Sequence, residues 1–164
     1  MATAIELSSR ALDLRNQVVP PQSVRHTPVV EIANILGYRV NEFTPTPHNQ
    51  SVSGAVDHQQ RVIFVNANES PARKRFTIAH EIGHICFHAN EGNTVDHRHQ
   101  LGYHPDAAPK EREANVFAGE LLMPRMPFEA MWQAYGGNVS SIADHFQVSE
   151  PAARVRAREL NLER

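Results

Sequence analysis

Residues 76–88 of this chain decide how it folds, and they read Phe76-Thr77-Ile78-Ala79-His80-Glu81-Ile82-Gly83-His84-Ile85-Cys86-Phe87-His88. The stretch contains the pattern H-E-x-x-H, formed by His80, Glu81 and His84. On a helix, residues four apart lie about 40° around the axis and about 6 Å along it, so both imidazoles can reach one metal ion. Glu81 then projects beside them as a base for a water molecule. Apolar residues surround the pattern, which predicts a mostly buried helix, and a metal ion would explain why its polar groups are buried.

A catalytic zinc site usually has three protein ligands and one open position, so a third ligand is expected elsewhere in the chain. The helix predicted from residue 109 carries two candidate carboxylates, Glu111 and Glu113. Helical angles place Glu111 on the same face as Asn115, which we expect to be the inward face. Glu113 falls on the opposite face with Glu120, which we expect to be exposed to solvent. Glu111 is therefore the predicted third ligand.

His88 competes with Glu111 for this role, because His80, His84 and His88 are spaced four residues apart. In a continuous helix, however, His88 lies about 12 Å along the axis from His80, which is too far for ligand bonds near 2 Å to one ion. We expect His88 to be structural or to support a ligand. Asn115 is expected either to orient a ligand or simply to pack between helices.

The composition is that of an ordinary globular protein, with 164 residues, 41% hydrophobic and 21% charged. This length predicts one main domain, and the net charge of −2 argues against a general nucleic-acid or membrane-surface binder. A single cysteine, Cys86, excludes an internal disulfide and suits a reducing cytosol. No apolar run has the length of a signal peptide or a membrane span, so we expect a soluble cytoplasmic protein.

Periodicity and capping residues predict the other elements. Helices are expected at 4–17, 28–36, 109–122, 127–135, 141–146 and 150–161, and strands at 38–43, 51–57 and 61–66. Ser70 and Pro71 are placed to begin the central helix. Arg73, Lys74 and Arg75 in its first turn are interpreted as a solvated basic ridge. Residues 89–108 show no periodicity and are expected to form a long loop.

Three groups of residues, in order along the chain, resemble the ImmA/IrrE family of metallopeptidases. The first is Gly54 with Ile63–Asn66, and the second is R-F-T-I-A-H-E-I-G-H at 75–84 followed by Phe87-His88. The third is E-R-E-A-N-V-F-A at 111–118 with L-L-M-P at 121–124. Together they cover about residues 28 to 160 and are far more specific than H-E-x-x-H alone.

The resemblance implies an α+β fold with a gluzincin-like zinc peptidase core, in which a small antiparallel or mixed sheet packs on helices. This core would span residues 1–125, and a helix-turn-helix-like helical subdomain would span residues 126–164. The implied metal ligands are His80, His84 and Glu111, holding Zn²⁺ or Mn²⁺, with Glu81 catalytic. Members of the family cleave a helix-turn-helix repressor of the XRE type, often encoded nearby, and so derepress its genes.

We therefore expect a zinc-dependent endopeptidase in which Glu81 takes a proton from water and delivers it to the leaving amine. Six side chains are candidates for supporting a ligand or stabilising the oxyanion; they are Asn115, His88, His97, His99, Tyr103 and His104. The predicted strand at 51–57 is a candidate sheet edge for an extended substrate.

An alternative stays open: a non-catalytic regulator or antitoxin-like protein with a structural metal site, closed by a fourth protein ligand, that binds a repressor or DNA. Residues 142–160 resemble a helix-turn-helix, with Ser149 placed to cap its second helix and Arg154 and Arg158 on one face. Several glutamates offset these arginines, so a structural or substrate-docking role for the tail is favoured over DNA binding.

Overall fold

The computed structural model describes residues 1–97 and 108–163 of the chain. Its helices are α1 (Ala4–Asn16), α2 (Val29–Ile35), α3 (Pro71–Phe87), α4 (Pro109–Leu122), α5 (Arg125–Ala134), α6 (Val139–Phe146) and α7 (Glu150–Glu159). Its strands are β1 (Arg39–Phe43), β2 (Val52–Asp57), β3 (Val62–Asn66) and β4 (Thr94–His97), and a short 3₁₀ turn covers Ala89–Glu91. The predicted α+β class, with a small mixed sheet packed on helices, is confirmed. Among the described helices, none has both the length and the apolar content that crossing a membrane requires.

The four strands form one sheet in the order β1-β3-β2-β4. Strand β1 runs parallel to β3, whereas β2 runs antiparallel to both β3 and β4. The prediction that residues 51–57 form a sheet edge is therefore wrong, because β2 has a partner on each side. Residues 94–97 form β4, the strand next to β2, although the sequence predicts a loop there. Thr94 and Val95 are β-branched and suit a strand, but four residues are too short to form one without pairing with β2.

Helix α3 begins as its capping residues predict. The Ser70 hydroxyl accepts a hydrogen bond from the Arg73 backbone N–H at 3.2 Å, and Pro71 occupies the first turn. Strand β2 packs directly onto this helix at Gly54. A methyl group there would overlap the Thr77 side chain and lie 2.8 Å from the Phe64 carbonyl oxygen. The close contact fixes the distance between the sheet and the helix that carries the H-E-x-x-H pattern.

The basic residues at the start of α3 are not a solvated ridge. Arg73 is buried and donates to the Ser53 hydroxyl at 2.9 Å. Arg75 is half-buried and donates to the carbonyl oxygens of Thr27 at 2.9 Å and Gln147 at 3.1 Å. Burial lowers the pKa of Arg75 to about 10. Both guanidinium groups hold separate segments of the chain together, and Lys74 makes a surface ion pair with Glu42.

One hydrophobic core extends from α1 to α7. It includes fully buried side chains of α4 and of each C-terminal helix, among them Phe117, Phe128, Phe146 and Ala157. Ser149 caps α7, its hydroxyl accepting from the Ala152 backbone N–H at 3.2 Å. Apolar side chains from both sides of residue 125 pack together in this core. The division of the chain at 125/126 and the helix-turn-helix character of the tail therefore stay predictions.

Candidate metal centre

Helices α3 and α4 bring the three predicted ligands to one point. His80 Nε2 lies 3.1 Å from Glu111 Oε2, and His84 Nε2 lies 3.4 Å from Glu111 Oε1. The two Nε2 atoms are 3.1 Å apart. One ligand atom from each residue lies within 4.8 Å of the others, a spacing that can hold a metal ion. Both histidines are buried and Glu111 is partly exposed.

The approach of the two helices depends on Gly83, which lies between the two ligands of α3. A Cβ atom at this position would lie 3.2 Å from the Ala114 Cα and 3.1 Å from a ring carbon of Phe117. These distances are tighter than ordinary van der Waals contact. A residue without a side chain therefore allows the backbone of α3 to pack directly against α4, and the carboxylate of Glu111 reaches the imidazoles.

Hydrogen bonds to the outer ring nitrogens orient both imidazoles. His80 Nδ1–H donates to Asn115 Oδ1 at 2.8 Å. His84 Nδ1–H donates to His88 Nδ1 at 2.9 Å, and His88 Nε2–H donates in turn to Glu113 Oε2 at 2.7 Å. With Nδ1 engaged in this way, Nε2 is the ring atom of His80 and of His84 that would bind a metal ion. The chain thus supplies the arrangement that histidine ligands usually have.

The prediction that Glu113 faces solvent is wrong. Its side chain is buried, and its second carboxylate oxygen accepts a hydrogen bond from the Ala2 backbone N–H at 3.0 Å. Helix α4 packs against α3 on one side and against α1 and the residues before it on another, so it has two inward faces. Glu120 lies on the same face, and its carboxylate accepts hydrogen bonds from the Ser8 hydroxyl and the Arg156 guanidinium.

Strand β4 supplies two further residues near the site. Thr94 Oγ1 donates to Glu81 Oε2 at 2.5 Å. The other carboxylate oxygen, Oε1, is buried and has no hydrogen-bond partner among residues 1–97 and 108–163. Burial raises the pKa of Glu81 to about 7. Asp96 is also buried, and burial raises its pKa.

Sequence reasoning missed Thr94 and Asp96, since residues 89–108 show no periodicity. Their spacing of two is the pattern by which side chains share one face of a strand, but four residues are too few to reveal it. His97 alternates with Asp96 and lies on the other face, with its Nδ1 3.3 Å from the Ser51 hydroxyl. The candidates His99, Tyr103 and His104 lie outside the described residues.

The electrostatics of the site favour a cation. Burial opposes a charge on His80, yet the carboxylates of Glu111, Asp96 and Glu81 outweigh it and raise the pKa of His80 to about 9. Burial alone would raise the pKa of Glu111, but its contacts with the imidazoles of His80 and His84 hold it well below its usual range. Burial lowers the pKa of His84, which keeps that imidazole neutral. Two imidazoles and a carboxylate are a donor set that suits zinc, and Glu81, next to His80 in the chain, has a carboxylate oxygen with no partner among the described residues.

Comparison with known sequences and structures gives concordant matches. The sequence model of the IrrE N-terminal-like domain, peptidase family M78, matches residues 33–158. The radiation response metalloprotease IrrE of Deinococcus radiodurans is 30% identical over 100 residues, which cover 61% of this chain and 30% of that protein. The protein of the same name from Deinococcus deserti is 31% identical over 93 residues, covering 56% of this chain and 32% of that protein. The chain thus spans about a third of the length of these curated relatives.

A solved structure with a similar fold is a Mycobacterium tuberculosis transcriptional regulator. It superposes with a TM-score of 0.63 at 15% sequence identity, covering 92% of this chain and 45% of that chain. At this identity the likeness concerns the fold alone.

Proposed function

Because the chain belongs to the family of the IrrE N-terminal-like domain, peptidase family M78, we propose that it is a zinc-dependent endopeptidase. We propose further that its substrate is a helix-turn-helix repressor of the XRE type, whose cleavage derepresses the repressed genes. The observation that carries the proposal is the convergence of His80 Nε2, His84 Nε2 and the Glu111 carboxylate beside an unpaired oxygen of Glu81.

His80, His84 and Glu111 would hold the ion, with His88 and Asn115 fixing the two rings. A bound zinc ion supplies Lewis acidity, which makes a water molecule more acidic and polarises the scissile carbonyl. The Thr94 hydroxyl holds Glu81 Oε2, so Oε1 is left to accept the water proton. The carboxyl group of Glu81 can then take the proton from the water and release it to the leaving amine.

Strand β4, rather than β2, is proposed to bind the substrate backbone. Within the described part of the chain β4 pairs only with β2, and Val95 is 57% exposed. An extended peptide could add to such an edge through backbone hydrogen bonds. The contact between Thr94 and Glu81 would place the bound peptide next to the proposed base.

The C-terminal helices are proposed to serve a structural or docking role rather than to bind DNA. Glu163 pairs with Arg154 at 2.8 Å and with Arg158 at 3.5 Å, so both arginines on the candidate face have an acidic partner. A DNA-binding surface would instead present unneutralised positive charge to the phosphates.

The proposal is tested by incubating the purified protein and zinc with the repressor encoded nearest to it, then looking for a new fragment on a gel. We expect Glu81→Gln to keep the metal and to lower the cleavage rate by about 10²- to 10⁴-fold, because only the base is removed. His80→Ala should lose both metal and cleavage. Metal content is measured by elemental analysis after gel filtration, and replacement of zinc by Mn²⁺ identifies which ion supports cleavage.

Two outcomes would contradict the proposal. Cleavage by the Glu81→Gln protein at the wild-type rate would remove Glu81 as the base. A zinc-loaded wild-type protein that binds the repressor tightly without cutting it would support the non-catalytic regulator instead.

A further inference from the structure

A cavity of about 170 Å³ lies between α3, α4 and α7, away from the metal ligands themselves. Its walls are mostly apolar and include Phe76, Val116, Met123, Ala152 and Val155. The buried guanidinium of Arg156 at its margin is already paired with Glu120 and Glu159. Arg112 also lines the cavity, but most of the wall is apolar, so apolar contact decides most of what the cavity can hold.

The cavity is adjacent to the metal centre, and two of its lining residues contact His80. Phe76 lies one helical turn before His80, and the two ring centroids are 6.4 Å apart. Asn115, which lines the cavity, accepts the hydrogen bond from His80 Nδ1. The cavity thus begins about one turn, or about 6 Å, from the ligands along both helices.

Gly119 lines the same cavity and has no packing reason to be glycine. It lies within α4, and a Cβ atom built there would meet nothing within 4 Å among the described residues. Glycine inside a helix is less stable than alanine. Gly83 is explained by the close approach of α3 and α4, whereas at Gly119 a side chain would extend into open space at the wall of the cavity.

We propose that this cavity, the Gly119 pocket, is a substrate subsite that accepts one apolar side chain, such as Leu, Met or Phe, of the cleaved polypeptide. The inference rests on the proposed peptidase function. The volume suits a single side chain, since pockets for drug-sized ligands are about 300–1,000 Å³. Gly119 lies about 12 Å along α4 from Glu111, and an extended peptide advances about 3.3 Å per residue. The apolar residue is therefore expected within about four residues of the cleaved bond.

The first test needs no cleavage. Zinc-loaded Glu81→Gln protein labelled with ¹⁵N is titrated with N-acetyl-leucine amide and, separately, with N-acetyl-aspartic acid amide. We expect the leucine probe to shift the backbone amide signals of Gly119 and Val155, and the aspartate probe to leave them unchanged. In Gly119→Leu the leucine probe should bind at least tenfold more weakly. Equal shifts from both probes, or none from the leucine probe, would overturn the inference.

The second test compares cleavage of a mixed peptide library, with the products identified by mass spectrometry. The wild type should prefer an apolar residue at one fixed position within four residues of the cut, by about 10- to 100-fold. Gly119→Leu should lose that preference, and Gly119→Ala should shift it toward smaller residues. Ala130→Leu, which adds the same side chain on the exposed surface of α5, should cleave like the wild type.

The outcomes separate the pocket from the proposed function. If Gly119→Leu and Gly119→Ala both cleave with the wild-type preference, the subsite is wrong while the peptidase function stands. Gly119→Ala should fold at least as well as the wild type, so it decides the matter if the leucine variant is unstable. A wild type that cuts no peptide overturns the peptidase function and the subsite with it, even if the leucine probe binds.

Discussion

At the scale of single residues, the two histidines of the site are held by unlike partners. His80 donates to the neutral amide oxygen of Asn115, whereas His84 donates to His88, which donates in turn to the carboxylate of Glu113. A charged acceptor strengthens a hydrogen bond and makes the donating imidazole more electron-rich. Glu113 therefore acts on the metal centre through two imidazole rings without touching the site.

Replacing Glu113 by glutamine tests this chain of hydrogen bonds. The change keeps the shape of the side chain but removes its charge, so we expect zinc affinity to fall by about 10- to 100-fold, the usual effect of losing a partner behind a histidine ligand. The affinity is measured by competition with a chromophoric chelator, and circular dichroism reports whether the fold is kept.

Glu129→Gln is the matched control, since Glu129 makes only a surface ion pair with Arg125. Its zinc affinity should equal that of the wild type. A Glu113→Gln protein that also binds zinc as the wild type does would show that the carboxylate is not needed behind His88.

The sequence suffices to select candidate ligands whose geometry is set within one helix. The spacing of His80 and His84 and the helical angle of Glu111 rest on the regular repeat of an α-helix, and the structure brings these residues together. The burial of Glu113 could not be predicted in this way, because the number of inward faces of α4 depends on which helices pack around it. The positions of Thr94 and Asp96 near the site could not be predicted either, because their strand exists only through its pairing with β2.

At the scale of secondary-structure elements, the position of α3 over the sheet depends on the contact of Gly54 with Thr77. The caps and periodicity of α3, β2 and β3 are local, so their existence could be predicted from the sequence. The distance between the sheet and the helix could not be predicted from the sequence, because it depends on contacts between side chains far apart in the chain. That distance also governs how near Thr94 lies to Glu81.

Gly54→Ala should therefore destabilise the protein. The added methyl group would overlap Thr77 and crowd the Phe64 carbonyl oxygen, so either the strand or the helix must shift. We expect the free energy of unfolding to fall by about 1–3 kcal/mol, as for other overpacked cores, measured by chemical denaturation.

Gly119→Ala provides the matched comparison, because it is the same substitution at a position where the methyl group meets nothing. It should raise the free energy of unfolding by about 0.5–1 kcal/mol. If the two alanine variants had equal stabilities, the contact between β2 and α3 would not limit the packing.

At the scale of the whole molecule, two arginines join the C-terminal helices to the rest of the protein. Arg75 of α3 donates to the Gln147 carbonyl oxygen just after α6, and Arg156 of α7 donates to the Met123 carbonyl oxygen just after α4. Arg156 also pairs with Glu120 at 2.8 Å. With the shared hydrophobic core, these bonds should make residues on both sides of position 125 unfold together.

Arg156→Met should destabilise the whole molecule while keeping the apolar stem of the side chain. Removing the charge leaves Glu120, which is 19% exposed, without its main partner. We expect a loss of about 2–4 kcal/mol, at the lower end for buried ion pairs because Glu120 keeps some contact with water. Calorimetry should show one transition at a lower temperature.

Arg154→Met serves as the control, since the ion pair of Arg154 with Glu163 is exposed and should contribute less than about 1 kcal/mol. Two separate transitions in the Arg156→Met protein, with residues 1–125 unaffected, would instead indicate that residues 126–164 fold as an independent unit.

The contact at Gly83 bears on how related sites are recognised. Even a methyl group before His84 would press on Ala114 and Phe117, so α4 and its Glu111 carboxylate would have to move away from the imidazoles by a few tenths of an ångström. Many chains carry H-E-x-x-H by chance. A sequence search that requires glycine before the second histidine, together with a later helix that carries a glutamate, would select chains in which two helices can approach one ion.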